Sequence, residues 1–366
     1  MMRMPCAAAL IAAALCVTLL AGCSNAVQPG AANRTPSDPS HALIGLLLPD
    51  SVTARYEAED RPAFVAQIHK RCPGCSVAYQ NASADAGKQQ LQAESMLARG
   101  VDVLVLDPVD GGAAASIVNE AASQGVPVIA YDRLIDSSDL SFYISADNRR
   151  VGVLQAQALV DRLRELGAKT GTGILMVNGS QTDHNAKLYE QGAQSVLKTS
   201  GLTVLSSFDS PDWSAAQAQT WVAGQITQYG GRIQGVYAAN DSLAQGSIAA
   251  MQAAGVSPIP VTTGQDAEIA AIQRILTGTQ YMTVYKPIKD QARIAADAAI
   301  ALTRGEKVPA TTTTRIGGKD IPTRLLTPLP VTATDVQNVI VDSGFHTAAQ
   351  ICTPRYEQAC QEHGIR

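Results

Sequence analysis

The sequence predicts an α/β protein built as two doubly wound, Rossmann-like lobes. Three observations carry this. Short, almost wholly apolar runs recur along the chain, the pattern of parallel strands buried on both faces. Amphipathic segments of helical period separate them, and such alternation builds layered α/β sheets. The alternation restarts near residue 150, and a mature chain of about 340 residues exceeds what one core ordinarily serves.

The chain opens with a segment outside the fold. Arg3 supplies a short positive region. The apolar run from Ala7 to Leu20 is too short for a spanning helix of about 20 apolar residues and suits an export signal over 1–22. It ends in Leu20-Ala21-Gly22-Cys23. This resembles the bacterial lipoprotein box, so Cys23 is expected to be lipidated and to hold the chain at the outer face of the cell membrane. Residues 23–41, rich in Ser, Asn, Pro, Gly and Ala, read as a flexible tether.

Strand patterns follow at 43–48, 76–80, 102–106, 127–130, 173–178, 202–206, 235–238 and 259–263. Helical patterns lie at 57–71, 86–99, 113–124, 149–166, 185–199, 214–228, 242–254 and 267–276. Gly100, Gly125, Gly167, Gly201 and Gly255 close several of them as C-caps. Runs at 281–285 and 324–326 come after the second alternation is complete. They are expected to return to the first lobe and cross again, giving a hinge of three crossovers. The predicted organisation is one lobe from 42–149 with 285–326, a second from 150–284 with 327–346, and a tail at 347–366.

Seven cysteines occur. Cys6 and Cys16 leave with the signal and Cys23 takes the lipid. Cys72, Cys75, Cys352 and Cys360 remain, an even number that suggests two local disulfides in an oxidising compartment. Cys72-Pro73-Gly74-Cys75 is also the spacing of a redox pair. A redox pair normally opens a helix after a strand, whereas here a helical pattern ends at the motif, which favours a structural staple. The formal net charge of −4 argues against a nucleic-acid partner. No Walker loop, dinucleotide fingerprint, nucleophile elbow or His-Glu-x-x-His motif occurs, and no zinc or haem spacing. An enzyme, a cofactor and a resident metal are therefore not expected.

Polar residues gather after the strands. Asp50, Arg55 and Tyr56 follow the first, and Tyr131-Asp132-Arg133 follow 127–130. Asp183, His184 and Asn185 follow 173–178. Trp213 follows 202–206, Asn240 and Asp241 follow 235–238, and Asp266 follows 259–263. Lys286 sits at a crossover. In open α/β sheets ligands bind outside the carboxyl ends of the strands. Asp183 and Asp266 accept hydrogen bonds, Arg55, Arg133 and Lys286 donate them, and Asn185 and Asn240 do both. Trp213 offers a flat apolar face in a chain with only 4% aromatics. That set suits a monosaccharide. Taken singly each has a plainer role. Asp50, Asp132 and Asp241 stand where helix caps stand, and Tyr56, Trp213 and His184 fit packing or turns.

At these residues the chain resembles the type 1, ribose/galactose-like, periplasmic sugar-binding proteins of bacterial ABC transporters, and among them those for D-xylose. The resemblance runs over 42–346 through ordered islands: RGVDVLVLDPVDG, VIAYDR, FYISADN, VGVLQAQALV, DHNAKLY, AANDSLAQG, GQDAEIAAI, GTQYMTVYKPI and RLLTP. It implies ligand contacts from Arg55, Arg133, Asp183, Asn185, Trp213, Asn240, Asp266 and Lys286, with Tyr56 and His184 also in the site. It implies capture by hinge closure and delivery to a permease, by a monomer. Two residues depart from the pattern: Tyr56 stands where the family has Trp, and His184 where it has Asn. The Cys72/Cys75 pair and the tail after His346 lie outside it.

Overall fold

The computed structural model describes residues 38–366. The signal, most of the tether and Cys23 lie outside the described residues. The first run of elements is β1 (Leu43–Leu48), α1 (Arg61–Arg71), β2 (Ser76–Asn81), α2 (Ala86–Ala98), β3 (Val103–Leu106), α3 (Ala115–Ser123), β4 (Val128–Tyr131) and β5 (Phe142–Ala146). The second is α4 (Asn148–Glu165), β6 (Gly173–Asn178), α5 (His184–Ser200), β7 (Thr203–Asp209), α6 (Ala215–Tyr229), β8 (Ile233–Ala238), α7 (Asp241–Ala253), β9 (Val261–Thr262) and α8 (Ile269–Leu276). The chain then adds β10 (Thr283–Tyr285), α9 (Ile288–Thr303), β11 (Thr312–Ile316), β12 (Lys319–Leu326), β13 (Leu329–Val331), α10 (Ala348–Ile351) and α11 (Glu357–Glu362).

The strands form two main sheets, ordered β2-β1-β3-β4-β5-β12-β11 and β7-β6-β8-β9. All pairs within them are parallel except the β11–β12 hairpin. In each sheet the order reverses at the first strand of its run, between β1 and β3 and between β6 and β8. These are the switch points outside which a ligand sits in doubly wound folds. Phe64 and Ile68 of α1 pack with Ala295, Ala299 and Ile300 of α9 on one face of the larger sheet. Met96 of α2 and Val118 of α3 cover the other. A third core, from Val151 to Val284, fills the smaller sheet's layers.

Local sequence explains where elements stop. Asp183 accepts from the Asn185 amide to open α5, and Gly201 ends it at φ 82°, a conformation that costs glycine nothing. Two glycines set how closely α4 and α5 pack. A Cβ on Gly152 would lie 2.0 Å from the Tyr189 carbonyl oxygen, and one on Gly192 would lie 2.1 Å from that of Arg149. Gly152→Ala is therefore expected to lower the melting temperature by several degrees, since overpacking costs about 1–3 kcal/mol. A thermal melt indistinguishable from the parent would show that the two helices can move apart freely.

The structure differs from the sequence expectation in two respects. The run at 281–285 does not join the first sheet. β10 pairs antiparallel with β13, and it bonds to the strand-end segment before α8 through Asp266 N to Val284 O and Val284 N to Gly264 O, both 3.0 Å. The later run does join it, as β12 beside β5. β5 and β11 are strands that a search for βα alternation passes over, because no helix separates β4 from β5 or β11 from β12.

Disulfides join Cys72 to Cys75, at the turn after α1, and Cys352 to Cys360, across α10 and α11. The tail is packed: Ile351 and Cys360 are buried with Ile272 and Ile275 of α8, and the Gln273 side-chain amide donates to the Ile351 carbonyl at 2.9 Å.

Candidate functional site

Asp50, just past β1, accepts from the amides of Val52 and Thr53 at 3.0 and 2.9 Å. This turn delivers Thr53, Arg55 and Tyr56 to the carboxyl end of the larger sheet. Opposite them, Asp183 and Asn240 are the N-caps of α5 and α7. Each uses one oxygen on its helix, and both residues line the space between the sheets. A narrow cavity lies there, walled from both sheets.

Nine of the ten expected residues line it: Arg55, Tyr56, Arg133, Asp183, Asn185, Trp213, Asn240, Asp266 and Lys286. His184 does not. It opens α5 between two lining residues, half-buried, and the turn of the helix carries it off the cavity wall. Four further residues line the cavity: Thr53, Asp132, Tyr189 and Gln265. Tyr189 is four residues after Asn185 on one helix, so the two share a face, and that spacing was the available signal. Asp132, which could have capped a helix, does not. Its residue takes φ 59°, and its carboxylate accepts from Arg55 Nη1 at 3.2 Å and Gln291 Nε2 at 3.1 Å.

The cavity walls are held by buried charge. Arg55 makes a bidentate pair with Asp60, at 2.9 and 2.8 Å, besides its bond to Asp132. Arg133 Nε lies 2.9 Å from Asp183 Oδ2, across the cleft, and its Nη2 donates to the Tyr56 hydroxyl at 3.1 Å. Lys286 Nζ lies 3.1 Å from Asp266 Oδ1 and donates to the Tyr189 hydroxyl at 3.3 Å. The Tyr56 ring sits 5.2 Å from the Arg55 guanidinium and 5.8 Å from that of Arg133, close enough for cation–π attraction. Burial pushes the Asp132 carboxyl up, but Arg55, Lys286, the Gln291 bond and Arg133 together hold it below the usual carboxylate range. For Asp183 burial outweighs Arg133, and its carboxyl is raised. The backbone bond from Gly111 N to Thr182 O, 3.1 Å, and the bond from the Asn185 side-chain Nδ2 to the Asp132 carbonyl oxygen, 3.2 Å, also cross the cleft, which is shut.

Four buried lining atoms have no hydrogen-bond partner among the described residues: Arg133 Nε, Asp266 Oδ1, Trp213 Nε1 and Gln265 Oε1. The first two have ion-pair partners, which leaves Trp213 Nε1, a donor, and Gln265 Oε1, an acceptor, with unused hydrogen-bonding capacity. Buried polar atoms are ordinarily satisfied, and an unpaired one costs about 1–3 kcal/mol. Strain collects here too: Asp132, Trp213, Asp266 and Ala267 all take left-handed backbone, the kind of cost that ligand sites carry. A larger open groove lies at the opposite pole of the smaller sheet, beside Leu163, Ile226, Met251, Pro258 and Pro260. It faces the amino ends of the strands, where doubly wound folds do not bind ligands.

Directly behind the cavity, Asp241, buried, and Glu268, half-buried, form an acid pair. Asp241 Oδ2 accepts from the Glu268 amide and the Thr283 hydroxyl, both at 3.0 Å, and Oδ1 accepts from Gln280 at 2.8 Å. Burial, then the neighbouring carboxylates, push Asp241 up to about 7 and Glu268 up to about 8. Both hold their protons more tightly folded than unfolded. Their stabilising contribution is thus complete below about pH 4 and is lost as pH rises through 7–8. Asp241→Asn is expected to flatten the decline in melting temperature over that window, and a parallel decline in parent and variant would show that the pair does not cause it.

Comparison with known proteins places this geometry in context. Residues 44–307 match the model of the periplasmic binding protein domain. A D-xylose-binding periplasmic protein of Escherichia coli (strain K12) is 39% identical over 312 residues, covering 84% of this chain and 92% of that protein. A multiple sugar-binding periplasmic receptor of Rhizobium radiobacter is 33% identical, over 84% of this chain and 92% of its own. Among solved structures, an ABC transporter solute-binding protein of Clostridium phytofermentans with bound β-D-glucose superposes with a TM-score of 0.76 at 29% identity, over 84% of this chain and 99% of that one.

Proposed function

The chain belongs to the periplasmic binding protein family, and from that premise we propose that it captures D-xylose in the cleft between its lobes and delivers it to an ABC transporter permease. Family and fold are those of sugar-binding components of ABC transporters, not of enzymes. The proposal adds the sugar, the lobes and the anchor. The lobes are 42–149 with 285–326 and 150–284 with 327–346, closing about three crossovers. Closure is favoured by ligand because both lobes touch the sugar only when shut. Acylated Cys23 holds the otherwise monomeric chain at the outer face of the cell membrane, and the tether lets it reach the permease.

The observation that carries a sugar is the pairing of unused polar atoms with an aromatic plane. The Trp213 indole N–H and the Gln265 carbonyl oxygen wait in a cavity walled by Arg, Asp, Asn and Lys. A pyranose supplies both hydroxyl partners and an apolar C–H face. The Escherichia coli relative supports xylose within that class, and the Rhizobium radiobacter receptor favours a second reading of broader sugar acceptance. Calorimetry of the mature protein against D-xylose, D-glucose, D-ribose and L-arabinose separates the two. Xylose is expected to bind tightest, with Kd about 1 µM or below, near −8 kcal/mol. Equal affinity for several sugars selects the broader reading, and binding of none overturns both.

A further inference from the structure

Asp266 reaches the cavity from a strained turn. It takes φ 100°, and Ala267 after it takes φ 54°. Two successive left-handed residues with side chains are costly, and they persist only where their surroundings hold them. The amides of the turn have partners on the same lobe. Asp266 N donates to the Val284 carbonyl at 3.0 Å, Ala267 N to the Thr283 hydroxyl at 3.2 Å and Glu268 N to Asp241 Oδ2 at 3.0 Å. The carbonyl of Ala267, a residue with no exposed surface, is met by a side chain 79 positions later. His346 Nε2 lies 2.9 Å from it. A carbonyl only accepts, so Nε2 carries the ring proton.

His346 is itself fixed from several sides. It is 3% exposed, and its ring lies against Phe345 with centroids 4.3 Å apart. Its amide donates to the Ile340 carbonyl at 3.3 Å. Lys289 Nζ donates to the Gly344 and Phe345 carbonyls just before it. Ala267, Phe345 and Ile351 share one apolar core. Two charged side chains stand near the ring, Glu59 and Lys289, and they pair with each other at 3.2 Å. Glu59 Oε1 stays 3.6 Å from Nδ1, beyond hydrogen-bond reach. Burial pushes the imidazole down to about 4, so at neutral pH the ring is uncharged and its single proton sits on Nε2.

We propose that His346 is a positioning residue for ligand binding: its Nε2–H holds the Ala267 carbonyl and so keeps the left-handed turn that presents Asp266 to the sugar. Removing the donor leaves a buried carbonyl short of a partner, and the turn then gains by relaxing toward ordinary backbone. Rotation there carries Asp266 Oδ1 away from Lys286 Nζ, 3.1 Å from it. His346 is not among the residues lining the cavity, so it acts through Asp266 and not on the sugar. The inference rests on the sugar-binding reading above, in which Asp266 meets the ligand.

The test is calorimetry with the sugar that the mature parent binds tightest in the panel above, beside thermal melts, of the parent, His346→Leu, His346→Gln and Gln273→Ala. Leucine keeps bulk and loses the donor, whereas glutamine carries an amide N–H at a reach similar to that of Nε2. Gln273→Ala removes a bond from α8 to the tail, Gln273 Nε2 to the Ile351 carbonyl, and leaves the His346 bond in place. The leucine variant is expected to weaken the sugar by about tenfold or more, and the glutamine variant to stay within about threefold of the parent. Gln273→Ala is expected to lower the melting temperature and to leave affinity within about twofold. A leucine variant that binds within about twofold of the parent overturns the proposal. So does a glutamine variant as weak as leucine, or a Gln273→Ala variant as weak as leucine. The unaltered protein gives a readout that does not depend on the variants folding. Nitrogen-15 NMR at pH 7 is expected to show His346 neutral and protonated at Nε2, and a ring protonated at Nδ1 or at both nitrogens overturns the proposal. A parent that binds no sugar brings down the sugar-binding reading, whereas a parent that binds sugar with every variant unchanged brings down this inference alone.

Discussion

Replacing Asp266 with alanine is expected to weaken sugar binding by about two to three orders of magnitude, the largest effect of any single truncation in the cleft. Asp266 Oδ1 lies 3.1 Å from Lys286 Nζ and 3.8 Å from the Arg55 guanidinium. Without it Arg55 keeps Asp60 and Asp132, but among the described residues Lys286 keeps only the Tyr189 hydroxyl within hydrogen-bond reach. Stranding one member of a buried ion pair costs about 3–5 kcal/mol, because the surviving charge has lost both water and partner. The damage falls at the seam between β10 and the loop before α8, where Asp266 N also bonds Val284 O. Asp266→Asn keeps the shape and two polar atoms, so it should fall between parent and alanine. Calorimetry gives the affinities, and a melt of the ligand-free variants separates lost binding from lost folding. A folded alanine variant that binds within about threefold of the parent would place Asp266 outside the ligand's reach.

Gly179→Ala is expected to cost about 1–3 kcal/mol of stability and to weaken sugar binding, although it adds one methyl and removes no polar group. A Cβ at Gly179 would lie 2.0, 2.1 and 2.5 Å from three carbons of the distal ring of Trp213. The indole has little room to retreat. Its backbone is already left-handed, at φ 60°, and Tyr189 meets it edge-on with ring centroids 6.3 Å apart. The plane proposed to stack on the sugar must then tilt or shift. Phenylalanine at 213 lacks the distal ring, so Gly179→Ala with Trp213→Phe should lose less stability than the two single changes predict together. Such non-additivity is the signature of one contact shared by two residues. Strict additivity in melting experiments would show that Gly179 acts elsewhere.

The two replacements illustrate how far the site was legible in the sequence. Asp266 and Trp213 stand at strand ends in a βα alternation, so their position on the ligand side followed from chain order alone. Gly179 follows β6 among those same strand-end residues, but nothing near it in sequence tells of an indole 34 residues later pressing on its α-carbon. Tyr189 was hidden by lying within a helix, and Gln265 by standing beside a charged neighbour. His184 shows the reverse failure. It sits between two lining residues, yet one step along a helix rotates a side chain by about 100° and carries it off the wall. Asp132 had the sequence context of a helix cap, and the pull of Arg55 and Gln291 decided otherwise.

By itself the sequence determined the alternation of strands and helices, their glycine-marked ends, the restart near residue 150 and the strand-end placement of most polar residues. Periodicity and capping act over a few neighbours, so they can be read from a linear string. Only the tertiary structure decided that β10 pairs with β13, that β12 inserts beside β5, and that Arg133 reaches Asp183 across the cleft. It also decided which buried atoms lack a hydrogen-bond partner among the described residues, Trp213 Nε1 and Gln265 Oε1 among them. Those outcomes depend on contacts between residues tens to hundreds of positions apart, and on competition for hydrogen bonds that exists only once the two lobes have folded and met.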